Sequence, residues 1–75
     1  MTRLPITSGE RLVRALKRAG FLELRQKGSH VALEKRTAEK VFRTIVPMHR
    51  VLAKGTLADI LRQTGLTAEE LRELL

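Results

Sequence analysis

The chain has 75 residues, no cysteine and a formal net charge of +7. This length allows one small domain, spanning residues 1–75 with 1–7 as a lead-in, and the absence of cysteine excludes disulfides and thiolate zinc sites. No segment approaches the ~20 apolar residues of a membrane span, and the N-terminus lacks a signal-peptide apolar run. We therefore expect a soluble, cytoplasmic protein.

The excess positive charge predicts an anionic partner. Nucleic acid is the first candidate, an anionic membrane surface is the second, and a merely soluble basic surface is the third. Phe21 and Phe42 are the only aromatic residues. Because single-strand binders stack bases on several exposed aromatics, any RNA contact must rest mainly on phosphates and shape.

A helix-start signal, Ser or Thr followed three positions later by Asp or Glu, occurs at 7–10, 56–59 and 67–70. The first signal predicts a helix over about residues 8–19, which Gly20 ends in the left-handed conformation. Its apolar stripe at helical spacing consists of Leu12, Val13, Leu16 and Ala19.

Three segments with alternating apolar residues follow, and each predicts a strand. The first contains Leu22 and Leu24, and Lys27-Gly28 is a turn signal before the second, which begins near His30. The third covers residues 41–46 and ends at Pro47; either its odd or its even positions face inward. The connection KRTAEK has no Gly, Pro or Asn, so it gives no turn type and allows a longer or partly helical excursion.

Two further helices are predicted, one over about residues 57–64 that ends at Gly65 and a short one over 68–75. The order α-β-β-β-α-α predicts an α+β domain with a three-stranded antiparallel sheet and the helices on one face. The other face of the sheet is then open to solvent or to a ligand.

His30 is the first candidate for a chemical role. If Val31 and Leu33 face the helices, strand alternation places His30 on the open face, together with Ala32 and Glu34. Imidazole exchanges protons near neutrality, and RNA carries its own nucleophile, the 2′-hydroxyl. A base together with cations such as Arg25 and Lys27 can cleave RNA without a metal. A surface histidine with no chemical role is the alternative.

His49 and Lys54 are weaker candidates. His49 follows the third strand and approaches the same face if strands two and three are neighbours; otherwise it is a loop residue beside Arg50. Lys54 precedes a helix, where a cation and free backbone N–H groups can hold a phosphate, and an ordinary solvated lysine is the alternative. Two histidines without cysteine are too few ligands for zinc.

Four segments, RALKRAGF, RQKGSH, IVPMHR and KGTLADILRQTGLTAEELRELL, resemble in order the HicA family of bacterial toxins over roughly residues 8–75. The resemblance implies a small mRNA interferase with a fold like the double-stranded RNA-binding domain. It also implies a type II toxin–antitoxin system in which the antitoxin HicB holds the toxin inactive, and it implies no cofactor.

The resemblance also suggests which residues form the site. The catalytic histidine of the family's Gly-Ser-His motif corresponds to His30. The other matching positions are Gly28 and Ser29 in the same motif, Val46, Pro47 and His49 in VPxH, and Lys54, Gly55 and Thr56 in KGT. Many relatives have a Pro-Asp-Gly type turn where KRTAEK stands, and an aromatic near Ala32 and Leu33.

The leading hypothesis is a metal-independent endoribonuclease toxin that cleaves mRNA with His30 and is neutralised by a HicB-like antitoxin. The candidate RNA-binding residues are Arg25, Lys27, Gly28, Ser29 and Lys54, with His49 as a possible secondary residue. Two alternatives remain open. One is a non-catalytic RNA-binding module, and the other is a protein whose basic face only docks an acidic partner.

Overall fold

The elements follow the predicted order in the computed structural model, which describes residues 3–75. They are α1 (Gly9–Arg18), β1 (Leu22–Lys27), β2 (His30–Arg36), β3 (Val41–Pro47), α2 (Lys54–Thr64) and α3 (Ala68–Leu74). The strands form one antiparallel sheet in the order β1-β2-β3. The predicted α+β class is therefore confirmed. No helix in the described part of the chain is long and apolar enough to cross a membrane.

The core lies between one face of the sheet and the three helices. Val31 and Leu33 of β2 are buried there, as their alternation predicts. On β3 the even positions face inward, because Thr44 and Val46 are buried whereas Ile45 is exposed. The helices contribute these buried apolar side chains: Leu12, Val13, Ala15 and Leu16 of α1, Leu57, Ile60 and Leu61 of α2, and Ala68 and Leu71 of α3.

The three helix-start signals have different outcomes. The signal at 67–70 forms a complete capping box, in which Thr67 and Glu70 each accept from the other's backbone N–H. At α1 the prediction is one residue off, because Ser8 is the N-cap and its hydroxyl accepts from the Arg11 N–H at 3.1 Å. The Thr7 hydroxyl instead donates to the Ser8 carbonyl oxygen.

The predicted start of α2 is wrong by three residues. The helix begins at Lys54 after the N-cap Ala53, which makes no side-chain hydrogen bond. The Leu57 N–H donates to the Ala53 carbonyl oxygen at 3.0 Å, so residues 54–56 already form the first turn. Thr56 therefore lies inside the helix and does not cap it. Gly65 ends α2 in the left-handed conformation, as predicted.

Both strand connections are tight. Gly28 and Ser29 form a two-residue turn with Gly28 at φ 58°, and Lys27 lies within β1, opposite His30. The expected excursion between β2 and β3 is wrong, because residues 37–40 form a short turn. There the Thr37 hydroxyl accepts from the Lys40 N–H at 3.1 Å, which replaces the missing Gly, Pro or Asn.

A β-bulge interrupts β1 between Glu23 and Arg25. Glu23 lies opposite the buried Leu33 and forms an ion pair with Lys17 of α1 at 3.0 Å, on the helix side of the sheet. Leu24 is the extra residue, and it is 56 % exposed. A bulge re-aims the side chains beside it, and here it adds an apolar side chain next to Arg25.

Backbone hydrogen bonds join the start of α1 to the turn after β3. The Gly9 N–H donates to the His49 carbonyl oxygen at 2.9 Å, and the Leu52 N–H donates to the Thr7 carbonyl oxygen at 3.0 Å. Gly9 is buried, and a Cβ atom added to it would lie 2.1 Å from the Pro47 carbonyl oxygen. The helix therefore approaches the end of β3 at a distance that only glycine allows.

Candidate functional site

His30 is the first residue of β2 and is exposed. It lies opposite Lys27 of β1 and Pro47 of β3. Because its neighbour Val31 is buried against the helices, His30 lies on the other side of the sheet, together with Ala32 and Glu34. We call this side the open face.

Two cations accompany His30 on the open face. Lys27 is its partner across β1, and Arg25 is opposite Ala32. A shallow depression is lined by Arg25, Lys27, His30, Ala32 and Ile45; we call it the His30 depression. The small side chain of Ala32, which lies between Arg25 and Ile45 across the strands, forms its floor. An imidazole and two cationic groups can thus meet one phosphate of a polyanion here.

The Gly-Ser turn leaves the space beside His30 open. Apart from its chain neighbours Lys27 and Ser29, no described residue would come within 4 Å of a Cβ atom added to Gly28, so no distant side chain packs against the turn. Ser29 is held by its backbone, because its carbonyl oxygen accepts from the Met48 N–H at 2.6 Å. This bond extends the β2–β3 pairing past Pro47 and brings the chain that carries His49 beside the turn.

His49 and Lys54 occupy exposed positions outside the His30 depression. His49 follows Met48, and the Gly9 N–H fixes its carbonyl oxygen. Lys54 is the first residue of α2, whose first turn contains no acidic residue and whose N-cap makes no side-chain bond. The structure therefore brings Arg25, Lys27 and His30 together and places Lys54 apart from them.

A second cationic group on the open face was not predicted from the sequence. Glu34 is 10 % exposed in its side chain and accepts from Arg36 Nε at 2.6 Å and from Arg43 Nε at 2.8 Å. The hydrogen bond from Arg36, followed by that from Arg43, lowers the pKa of the Glu34 carboxyl below its ordinary value of 4.5. We call these three residues the arginine pair with its bridging glutamate.

Glu34 and Arg43 line a surface next to the His30 depression, and Arg36 is attached to it through its hydrogen bond to Glu34. A neighbouring depression is lined by Leu24, Arg25, Glu34, Arg43 and Ile45, among other residues. The two depressions share Arg25, Ala32 and Ile45, so they form one continuous surface along β2. Strand alternation predicted Glu34 on this face, but its partners depend on the β2–β3 register, which no local sequence signal gives.

The open face also exposes apolar side chains. Leu22 is 71 % exposed, Ile45 is 58 % exposed and Leu24 is 56 % exposed. Within residues 3–75, no three His, Asp or Glu side chains gather in a group that could hold a metal ion. The face therefore combines an imidazole, several cations and apolar surface.

The chain matches a known protein family. Residues 9–66 match the model of a family described as the HicA toxin of bacterial toxin–antitoxin systems. A search of curated proteins gave no match. The matched range runs from the start of α1 to just beyond the end of α2 and contains the whole open face.

Proposed function

Because the chain belongs to the HicA family of bacterial toxin–antitoxin toxins, we propose that it is an mRNA interferase, a metal-independent endoribonuclease in which His30 is the catalytic residue. The observation that carries the proposal is the exposed His30 imidazole on an open sheet face, opposite Lys27 and in the same depression as Arg25. Such a group on a surface with this charge fits a reaction at a phosphodiester.

The chemistry follows from the substrate. A base removes the proton of a ribose 2′-hydroxyl, the 2′-oxygen bonds to the adjacent phosphorus, and the bond from phosphorus to the 5′-oxygen breaks. The leaving 5′-oxygen takes a proton from an acid. His30 serves as the base or the acid, and the proposal leaves the other role to water or to His49. DNA lacks the 2′-hydroxyl and is not cleaved by this route.

Lys27 and Arg25 supply electrostatic stabilisation of the transition state. Negative charge accumulates on the phosphoryl oxygens in the transition state, and fixed cations stabilise it more than they stabilise the ground state. The space around Gly28 in the turn before His30 is open, which leaves room for the RNA strand. Lys54, at an α2 N-terminus without acidic residues, binds another phosphate of the same RNA.

The antitoxin in this proposal is a HicB-like protein that covers the open face. Its contact surface is acidic and partly apolar, because the toxin face presents Arg25 and Lys27 beside the exposed Leu24 and Ile45. Opposite charges speed the association of two proteins. The bound antitoxin then inhibits the toxin because it blocks access of RNA to His30.

The test is RNA cleavage by purified protein in the presence of EDTA. General acid–base catalysis contributes roughly 10²–10⁴-fold, so we expect His30→Ala to lower the cleavage rate by about that factor. His49→Ala removes the other exposed imidazole and shows whether His49 or water supplies the second proton transfer. Both variants should keep the far-UV circular dichroism of the wild type. Equal cleavage by wild type and His30→Ala would refute the assigned role.

A non-catalytic RNA-binding module is the second candidate, and one observation favours it. Among residues 3–75, the His30 imidazole has no hydrogen-bond or ion-pair partner, whereas catalytic imidazoles are commonly oriented by a carboxylate or a carbonyl. Turnover separates the two functions. A binding module shifts RNA on a gel and leaves it intact over hours, and its affinity does not depend on the imidazole.

A further inference from the structure

From the geometry of the open face, we infer that Arg36 and Arg43, bridged by Glu34, form a second phosphate subsite that holds the RNA strand away from the cleaved bond. This inference rests on the proposed ribonuclease function. It concerns how a longer strand is held and not the bond-breaking step.

Arg36 and Arg43 have hydrogen-bond donors that their contacts with Glu34 do not use. Its hydrogen bonds to Glu34 use the Nε atoms, and no acceptor within residues 3–75 engages the terminal nitrogens. The two side chains are 69 % and 68 % exposed, whereas the Glu34 side chain is 10 % exposed. The carboxylate thus lies beneath the guanidinium groups, and the outward surface of the cluster is cationic.

Glu34 orients the guanidinium groups of Arg36 and Arg43. Each arginine is otherwise a long and mobile side chain that loses conformational entropy when it binds a ligand. A buried carboxylate that fixes both Nε atoms removes part of this cost in advance. The guanidinium fork matches the geometry of a phosphate, and the group keeps one net positive charge.

The position of the cluster suits a neighbouring part of the strand that His30 cleaves. Glu34 and His30 are four residues apart on β2, or about 13 Å at about 3.3 Å per residue. One strand of a duplex advances about 3.4 Å per nucleotide, so this span covers at most about four nucleotides. Arg25, Ala32 and Ile45 line a continuous path between the two positions.

The experiment measures how RNA affinity depends on RNA length. The binding arm uses the His30→Ala background, so that RNA stays intact, and fluorescence anisotropy with a dinucleotide and an octanucleotide. The double variant Arg36→Gln/Arg43→Gln is compared with Arg14→Gln/Arg62→Gln. That matched pair also removes two exposed arginines from ion pairs, those with Glu10 and Asp59 on the helices.

We expect the arginine-pair variant to bind the octanucleotide about tenfold more weakly, since a charge-assisted hydrogen bond contributes on this scale. Its affinity for the dinucleotide should equal that of the parent. The slope of log affinity against log salt concentration should become shallower by about one for each phosphate that the variant no longer neutralises. The Arg14→Gln/Arg62→Gln variant should change the affinity for the dinucleotide and for the octanucleotide slightly and by the same factor.

Two single variants, Arg36→Gln and Arg43→Gln, keep the test decisive if the double variant unfolds, because each leaves one ion pair with Glu34 intact. The subsite would be overturned if every variant that folds bound the octanucleotide as tightly as the parent. It would also be overturned if the affinities for both RNA lengths fell by the same factor. A wild-type protein that binds RNA and never cleaves it would overturn the ribonuclease proposal instead. The length dependence in the binding arm would still decide the subsite.

Discussion

Replacing Gly9 by alanine should loosen the junction between α1 and the end of β3. The added Cβ atom would lie 2.1 Å from the Pro47 carbonyl oxygen and 2.9 Å from the Met48 Cα atom. Both obstacles are backbone atoms, which cannot rotate away as a side chain can. Either α1 or the 47–49 segment must therefore move.

The cost has three parts. Overpacking of a close contact costs about 1–3 kcal/mol, and the upper end applies because backbone must shift. Loss of the hydrogen bond from Gly9 to His49 adds about 1 kcal/mol, while the better helix propensity of alanine returns up to about 1 kcal/mol. We expect the free energy of unfolding to fall by about 3 kcal/mol, which lowers Tm by roughly 12–24 °C in a domain of this size.

Gly55→Ala is the matched control for this prediction. Gly55 also lies in the first turn of a helix, and nothing would come within 4 Å of its added Cβ atom. This substitution should therefore stabilise the protein by about 0.4–1 kcal/mol through the unfolded state. Urea unfolding followed by circular dichroism measures both variants. A Gly9→Ala protein as stable as wild type would refute the close-approach argument.

Two further outcomes are expected from single side chains. Thr67→Ala should cost about 1 kcal/mol in urea unfolding, because it removes the hydroxyl of the capping box, whereas Thr56→Ala, inside α2 and without a cap bond, should change stability by less than about 0.5 kcal/mol. The lowered pKa of Glu34 means that its ion pairs stabilise the fold above the ordinary value of 4.5 and that this contribution disappears as pH falls through the folded pKa. The stability difference between wild type and Glu34→Gln should therefore shrink between pH 6 and pH 3, and a constant difference would contradict the assignment.

The faces of β2 were predictable from sequence because alternation is a property of the strand backbone itself, whereas the sequence left open which face of β3 points inward. Val31 and Leu33 indicated the buried side of β2, and this assignment put His30 and Glu34 on the opposite side. The stops at Gly20 and Gly65 were predictable for a similar reason, since both adopt positive φ, which glycine tolerates best.

Features that depend on pairing between strands were not predictable. The bulge that exposes Leu24 beside Arg25 exists only because β1 is registered against β2. The contact of Glu34 with Arg43 requires the short turn at 37–40, where the Thr37 hydroxyl supplies hydrogen bonds that sequence rules assign to Gly, Pro or Asn. Helix-start signals were less certain, because α1 is capped by Ser8 instead of Thr7 and α2 begins after Ala53, which makes no side-chain hydrogen bond.

The composition of the open face limits what can cover it. A second copy of this chain would bring a second net charge of +7 against Arg25, Arg36 and Arg43, whereas RNA or an acidic protein lowers the electrostatic energy of the same surface. Leu24 and Ile45 give a protein partner apolar area that RNA cannot use equally well. If RNA and the antitoxin share this face, as proposed above, they exclude one another, and we then expect antitoxin dissociation to limit how fast RNA can bind.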